Sequence, residues 1–128
     1  MWRVWWVGFI LVLVLSACGS GSSPRGAAGA VEAYYKALVE KDSARLSTLS
    51  CSSWESSAQT ELAAFGSVKT VLKDFSCTDK GTEGKYTLVG CKGKIIATYQ
   101  NENQDFPLDG FTYLVVQEGG SWRVCGTK

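Results

Sequence analysis

The hydrophobic period of this chain changes at Gly66. Before it, apolar residues recur at helical spacing, as in Ala27, Val31, Tyr34, Tyr35 and Leu38; after it they alternate as strands require. The first set predicts a helix over about 27–41 with one buried face. Asp42 can accept from the free N–H groups that follow, so "DSARLSTLS" predicts a short second helix with Leu46 and Leu49 inward. Ser52 with Glu55 three residues on is a capping-box pattern, opening a third helix to about Phe65 with Trp54, Ala58, Leu62 and Phe65 on its inner face. Gly66, free to take a left-handed backbone, ends it.

Four strands are expected after that point, over about 68–78, 86–100, 111–118 and 122–126. "GTEG" would link the first two, and Gly119-Gly120 is a tight-turn signal between the last two. The connection "NENQDFPLDG" carries Pro107, which a sheet interior excludes, and is expected as a polar loop. Its Asn101, Asn103 and Asp105 alternate as in a calcium loop, but Phe106 stands where glycine is needed and Thr112 where the bidentate glutamate belongs. Hairpin links make the neighbours antiparallel, so the expected fold is α+β: N-terminal helices packed on a four-stranded antiparallel meander. The Gly119-Gly120 turn sets Val115 opposite Val124 and Gln117 opposite Trp122. Tyr113, Val115, Trp122 and Val124 then share one face, and Leu114, Val116 and Cys125 the other, a second apolar face that a homodimer would cover.

The N-terminal segment has a different character. Arg3 precedes the twelve-residue apolar run "VWWVGFILVLVL", the length of a signal-peptide core and well short of the roughly 20 residues a spanning helix needs. Leu15-Ser16-Ala17-Cys18 follows and resembles the lipobox of bacterial lipoproteins. That resemblance implies a diacylglyceryl thioether on Cys18 and cleavage before it. Two or three acyl chains hold a protein durably, since each buried methylene contributes about 0.8 kcal/mol and one chain alone is marginal. The expected organisation is a signal peptide over 1–17, a lipidated flexible tether over 18–29 and one domain over 30–128, anchored on the extracytoplasmic side of a membrane.

The stretches "AVEAYYKALVEKDSARLSTL" and "YLVVQEGGSWRVCG" give the domain a resemblance to the NTF2-like, or SnoaL-like, cystatin-type fold over residues 28–128. The family implies a curved sheet wrapped around helices into a cone, whose open end often holds a small ligand, and frequent dimers. It includes isomerases, cyclases and dehydratases as well as members that bind without catalysis.

Five cysteines are an odd number, and lipidation of Cys18 leaves four for bridges in an oxidising compartment. With no histidine and no C-x-x-C, they do not form a zinc motif. Adjacent strands lie about 4.8 Å apart, whereas a bridge tolerates Cα separations to about 6.8 Å. Cys91 to Cys125 would cross one strand and Cys77 to Cys125 two, leaving Cys77 with Cys91 and Cys51 with Cys125. One tension accompanies this pairing: Cys51 follows a helix, which asks Cys125 to face the helices, yet the aromatic pattern puts Trp122 there.

The absence of histidine removes Ser-His-Asp and Cys-His systems and any imidazole base. Counting Arg3 with the leader, the thirteen basic residues become twelve against twelve acidic, scattered without a stripe, which argues against nucleic acid. No cofactor motif is present. The expected function is therefore a membrane-anchored, non-catalytic domain that binds a small apolar ligand or an envelope protein. Tyr34, Tyr35, Trp54, Phe75, Tyr99, Tyr113 and Trp122 are its candidate lining. Two alternatives are an isomerase or dehydratase using Asp74 with a tyrosine, and an assembly module dimerising through Leu114 and Val116.

Overall fold

A computed structural model describes residues 26–128. The signal segment, Cys18 and the lipobox lie outside the described residues. Three helices, α1 (Gly26–Val39), α2 (Ser43–Thr48) and α3 (Glu55–Phe65), precede five strands: β1 (Lys69–Glu83), β2 (Tyr86–Tyr99), β3 (Glu102–Pro107), β4 (Thr112–Glu118) and β5 (Ser121–Thr127). Residues 26–29, expected in the tether, form the first turn of α1. Ala27 and Ala30 are buried there, and the Ala28 N–H donates to Asp79 Oδ1 of β1 at 3.0 Å, so packing and a borrowed cap hold the turn in the domain.

The far end of α1 is tied just as firmly. Lys41 turns the chain at φ 60° and its Nζ donates to Val68 O and Thr70 Oγ1, both at 2.9 Å, while Thr70 Oγ1 donates to Val39 O. Asp42 caps α2 by accepting from Arg45 N at 3.1 Å, as its position predicts. The capping box at Ser52 does not form. Cys51 O instead takes the Trp54 and Glu55 N–H groups at 2.9 and 3.0 Å, α3 starts at Glu55, and the Ser52 N–H points to Glu118 Oε1.

The strands run in the order β1-β2-β4-β5, the expected meander, with β3 as an unexpected fifth member paired to β2. β2 has β1 along one side. On its other side it pairs with β4 through Thr87–Gly90 and with β3 through Lys94–Tyr99. The segment expected as a loop is thus largely strand. Gln100 and Asn101, with φ of 44° and 67°, make the two-residue turn that starts it. All six β3 residues are exposed, so no burial alternation marked it, and Pro107 sits at its final position on an edge, where a lost donor costs nothing. β1 is also longer than expected: Gly81–Glu83 join the ladder, and Gly84-Lys85 alone makes the turn.

Bulges curl the sheet into a half-barrel around α1. In one, Asp74 (φ 52°) meets Gly93 (φ 101°), and a Cβ on Gly93 would lie 2.5 Å from Asp74 O. Val115 pairs with Val124 and Gln117 with Trp122, as the turn predicts, so Tyr113, Val115 and Val124 are buried inward with Val31, Tyr34 and Leu38 of α1.

Cys77 and Cys91 are direct register partners on β1 and β2 and are bridged. Cys51 and Cys125 are bridged with Cα atoms 5.3 Å apart. The tension over Cys125 dissolves because the chain after α2 runs alongside β5: Ser50 forms a parallel bridge with Val124, Cys51 N donates to Val124 O at 2.9 Å and Val124 N to Leu49 O at 2.8 Å. The bridge is a sideways staple between neighbouring strand-like segments. Trp122 keeps its inward place, half-buried against the core.

Candidate functional site

The apolar face of α3 and the hairpin β2–β3 do not close on each other. Between them lies a cavity of about 410 Å³, with Tyr35 and Leu38 of α1 and Ile95 of β2 at its back. Phe65 of α3 and Phe106 of β3 meet edge to face at 5.6 Å between ring centroids and form one wall. Pro107, Leu108 and Phe111 form the lip. Phe106 and Phe111 are 40% and 48% exposed, large apolar rings facing water at the mouth of an apolar hollow.

One ionisable group stands among these apolar residues. Glu61 projects from α3, and its Oε2 accepts a 3.0 Å hydrogen bond from the Tyr34 hydroxyl of α1. The Tyr34 oxygen in turn accepts from Trp54 Nε1 at 3.1 Å. Burial raises the Glu61 carboxyl above its ordinary pKa, and the Tyr34 hydrogen bond, which favours the carboxylate, opposes that rise. Burial likewise carries the Tyr34 hydroxyl far above the ordinary tyrosine range, reinforced by the Glu61 charge, and does the same to Tyr35, with neighbouring Tyr113 adding to the effect. Neither phenol is poised to act as a base near neutrality.

The second carboxylate of the lining, Asp105 of β3, faces outward and pairs with Lys94 at 2.6 Å. Among the described residues Glu61 has no such cation, and no group of acidic or cysteine side chains is arranged to hold a metal. The hollow therefore offers extensive apolar contact and one carboxyl held from behind by a tyrosine.

The expected lining is only partly brought together. Tyr35 lines the cavity, and Tyr34 and Tyr113 are buried behind it, Tyr113 packed edge-on to Tyr35 at 5.5 Å. Trp54 reaches it only through Tyr34, its ring lying against Gly126 of β5. Phe75 packs on Tyr35 from the other side and lines a groove of about 460 Å³ between α1 and β1. Trp122 packs against the core and lines neither hollow, and Tyr99, at the end of β2, is 47% exposed and lines neither either. Asp74 is exposed in its bulge and lines neither.

Glu61, Phe65, Phe106 and Phe111 carry the site, and only Phe65 had been placed inward. The signal for Glu61 was its spacing: three residues after Ala58 and four before Phe65, it lies on the inner stripe of α3, where a carboxylate is out of place. No comparable signal marked Phe106, because its strand is exposed along its whole length.

The sequence matches no family model and no curated protein. Among solved structures it is similar to "Structure of Bdellovibrio bacteriovorus Bd1075", with a TM-score of 0.51 and 13% identity over 77% of this chain. The likeness covers 37% of that chain and concerns the fold alone.

Proposed function

We propose that this protein is an extracytoplasmic lipoprotein whose NTF2-like domain binds a small apolar ligand without transforming it. The apolar cavity of about 410 Å³ under Phe65 and Phe106 carries the reading, since a hollow of this size and lining suits a small molecule. A binding role is favoured over catalysis by the economy of the polar groups: the Tyr34 hydrogen is committed to Glu61 and the Trp54 N–H to Tyr34, and burial holds the Tyr34, Tyr35 and Tyr113 hydroxyls in their neutral form. The two disulfides favour an oxidising compartment, and Leu15-Ser16-Ala17-Cys18 after an apolar run supports attachment through lipid on Cys18.

The test uses the full chain in lipid nanodiscs, with empty nanodiscs as the blank, titrated with phenylbutanol and followed by ligand-observed NMR. Saturable binding is expected, weakened about tenfold or more by substituting Ala64, an exposed α3 residue of the cavity lining, as Ala64→Trp, which sets an indole at the mouth. Failure of phenylbutanol to saturate, or binding indifferent to Ala64→Trp, would overturn the reading.

A further inference from the structure

The donors and acceptors around the cavity are unequally used. Tyr34 gives its only hydrogen to Glu61 Oε2 and Trp54 gives its indole hydrogen to Tyr34, so neither of these two has a spare donor to offer a ligand. Glu61 Oε1 is the converse: among the described residues it accepts no hydrogen bond, and it belongs to a carboxyl within the lining. Among the described residues no lysine or arginine lines the cavity, and the other lining carboxylate is occupied by Lys94 outside.

We propose that the ligand is an apolar amine: a hydrophobic body that fills the space between Phe65, Phe106 and Ile95, carrying one protonated nitrogen that pairs with Glu61. This rests on the reading of the cavity as a ligand site and adds the ligand's chemical class. An anion would set two like charges close together, and a neutral body without a donor would displace water from Glu61 Oε1 without replacing its hydrogen bond. An ammonium group supplies both the missing charge and the missing donor, and bonds of this kind are the stronger ones. The aromatic rings of Tyr35, Phe65, Phe106 and Phe111 line the hollow, and a ring face is a surface that attracts a cation. Burial already raises the proton affinity of Glu61, and a cation seated beside it would relieve that cost.

Three probes sharing one body separate this inference from the reading beneath it: phenylbutylamine, phenylbutanol and phenylbutyrate, each titrated into the full chain in nanodiscs at about pH 8, where the amine is protonated. The amine is expected to bind about tenfold tighter than the alcohol, with the carboxylate weakest. Glu61→Gln should abolish the preference for the amine over the alcohol, both probes being compared on the same variant; Glu61→Asp, which retains the charge, should retain part of the preference, and Asp105→Asn all of it. Equal affinity for amine and alcohol would overturn the amine assignment and leave the apolar site standing. An amine preference that survives in Glu61→Gln would overturn the assignment to Glu61, and absence of binding by all three probes would remove the site itself.

Discussion

Glu61 is a carboxyl on the inner stripe of a helix, and its cost to the fold depends on whether it is ionised. Its raised pKa means that the folded protein holds this proton more tightly than the unfolded chain does. Below about pH 4 both states are protonated and the residue costs nothing. As pH rises, the unfolded chain ionises first, and stability falls through the window between the ordinary pKa of 4.5 and the raised one. Glu61→Gln keeps the shape and an acceptor for Tyr34 but has no proton to lose. Its urea midpoint is therefore expected to draw ahead of the parent's as pH climbs from about 4 to 8, and a difference that stays constant with pH would contradict the burial of this carboxyl.

At the scale of elements, the curl of β1 and β2 depends on two backbones approaching closely at one bulge. A Cβ at Gly93 would meet Asp74 O at 2.5 Å and Lys73 O at 2.7 Å, and Gly93 also holds φ at 101°. Nearby Gly90 is different: the atoms a Cβ would meet belong to the far end of the Lys80 side chain, which can swing away. Gly93→Ala is accordingly expected to cost about 2 kcal/mol or more, and Gly90→Ala about 0.5 kcal/mol or less, in equilibrium urea unfolding. Comparable losses would mean that the bulge does not depend on that close approach. The same bulge bends the second half of β2, from which β3 hangs, and so sets the wall that carries Phe106 over the cavity.

Across the whole molecule, the two disulfides act on different lengths of chain. Cys51–Cys125 spans 74 residues and ties the segment after α2 to β5, whereas Cys77–Cys91 spans 14 within one hairpin. Loop-closure entropy assigns about 4 kcal/mol to the first and about 3 kcal/mol to the second, both large against the roughly 5 to 15 kcal/mol that holds a domain. Removing Cys51 and Cys125 together as serines is expected to lower stability more than removing Cys77 and Cys91 together, measured by denaturant unfolding of the two double variants. The reverse order would show that the sheet already fixes the α2–β5 junction without its covalent tie. Leu114 and Val116, expected to form an apolar outer face, are half-buried, and among the described residues the most exposed large apolar side chains are Val71, Tyr99, Phe106 and Phe111, two of them at the cavity mouth.

What the sequence by itself determined is the order of the three helices and of the four meander strands, the register at Gly119-Gly120 and the pairing of the four cysteines. Each depends on local period, turn chemistry or strand spacing, which act over a few residues and can be read along a line. Tertiary structure alone decided that "ENQDFP" becomes a strand, since its six residues all stay exposed, show no burial alternation and take their order from hydrogen bonds to β2. It also decided which polar groups meet. Tyr34, Trp54 and Glu61 come from two helices and the turn before one of them, and join only because packing of α1 on α3 sets them 3.0 and 3.1 Å apart. Burial and the neighbours it imposes, which fix the character of Glu61, are properties of the packed chain and have no counterpart in residue order.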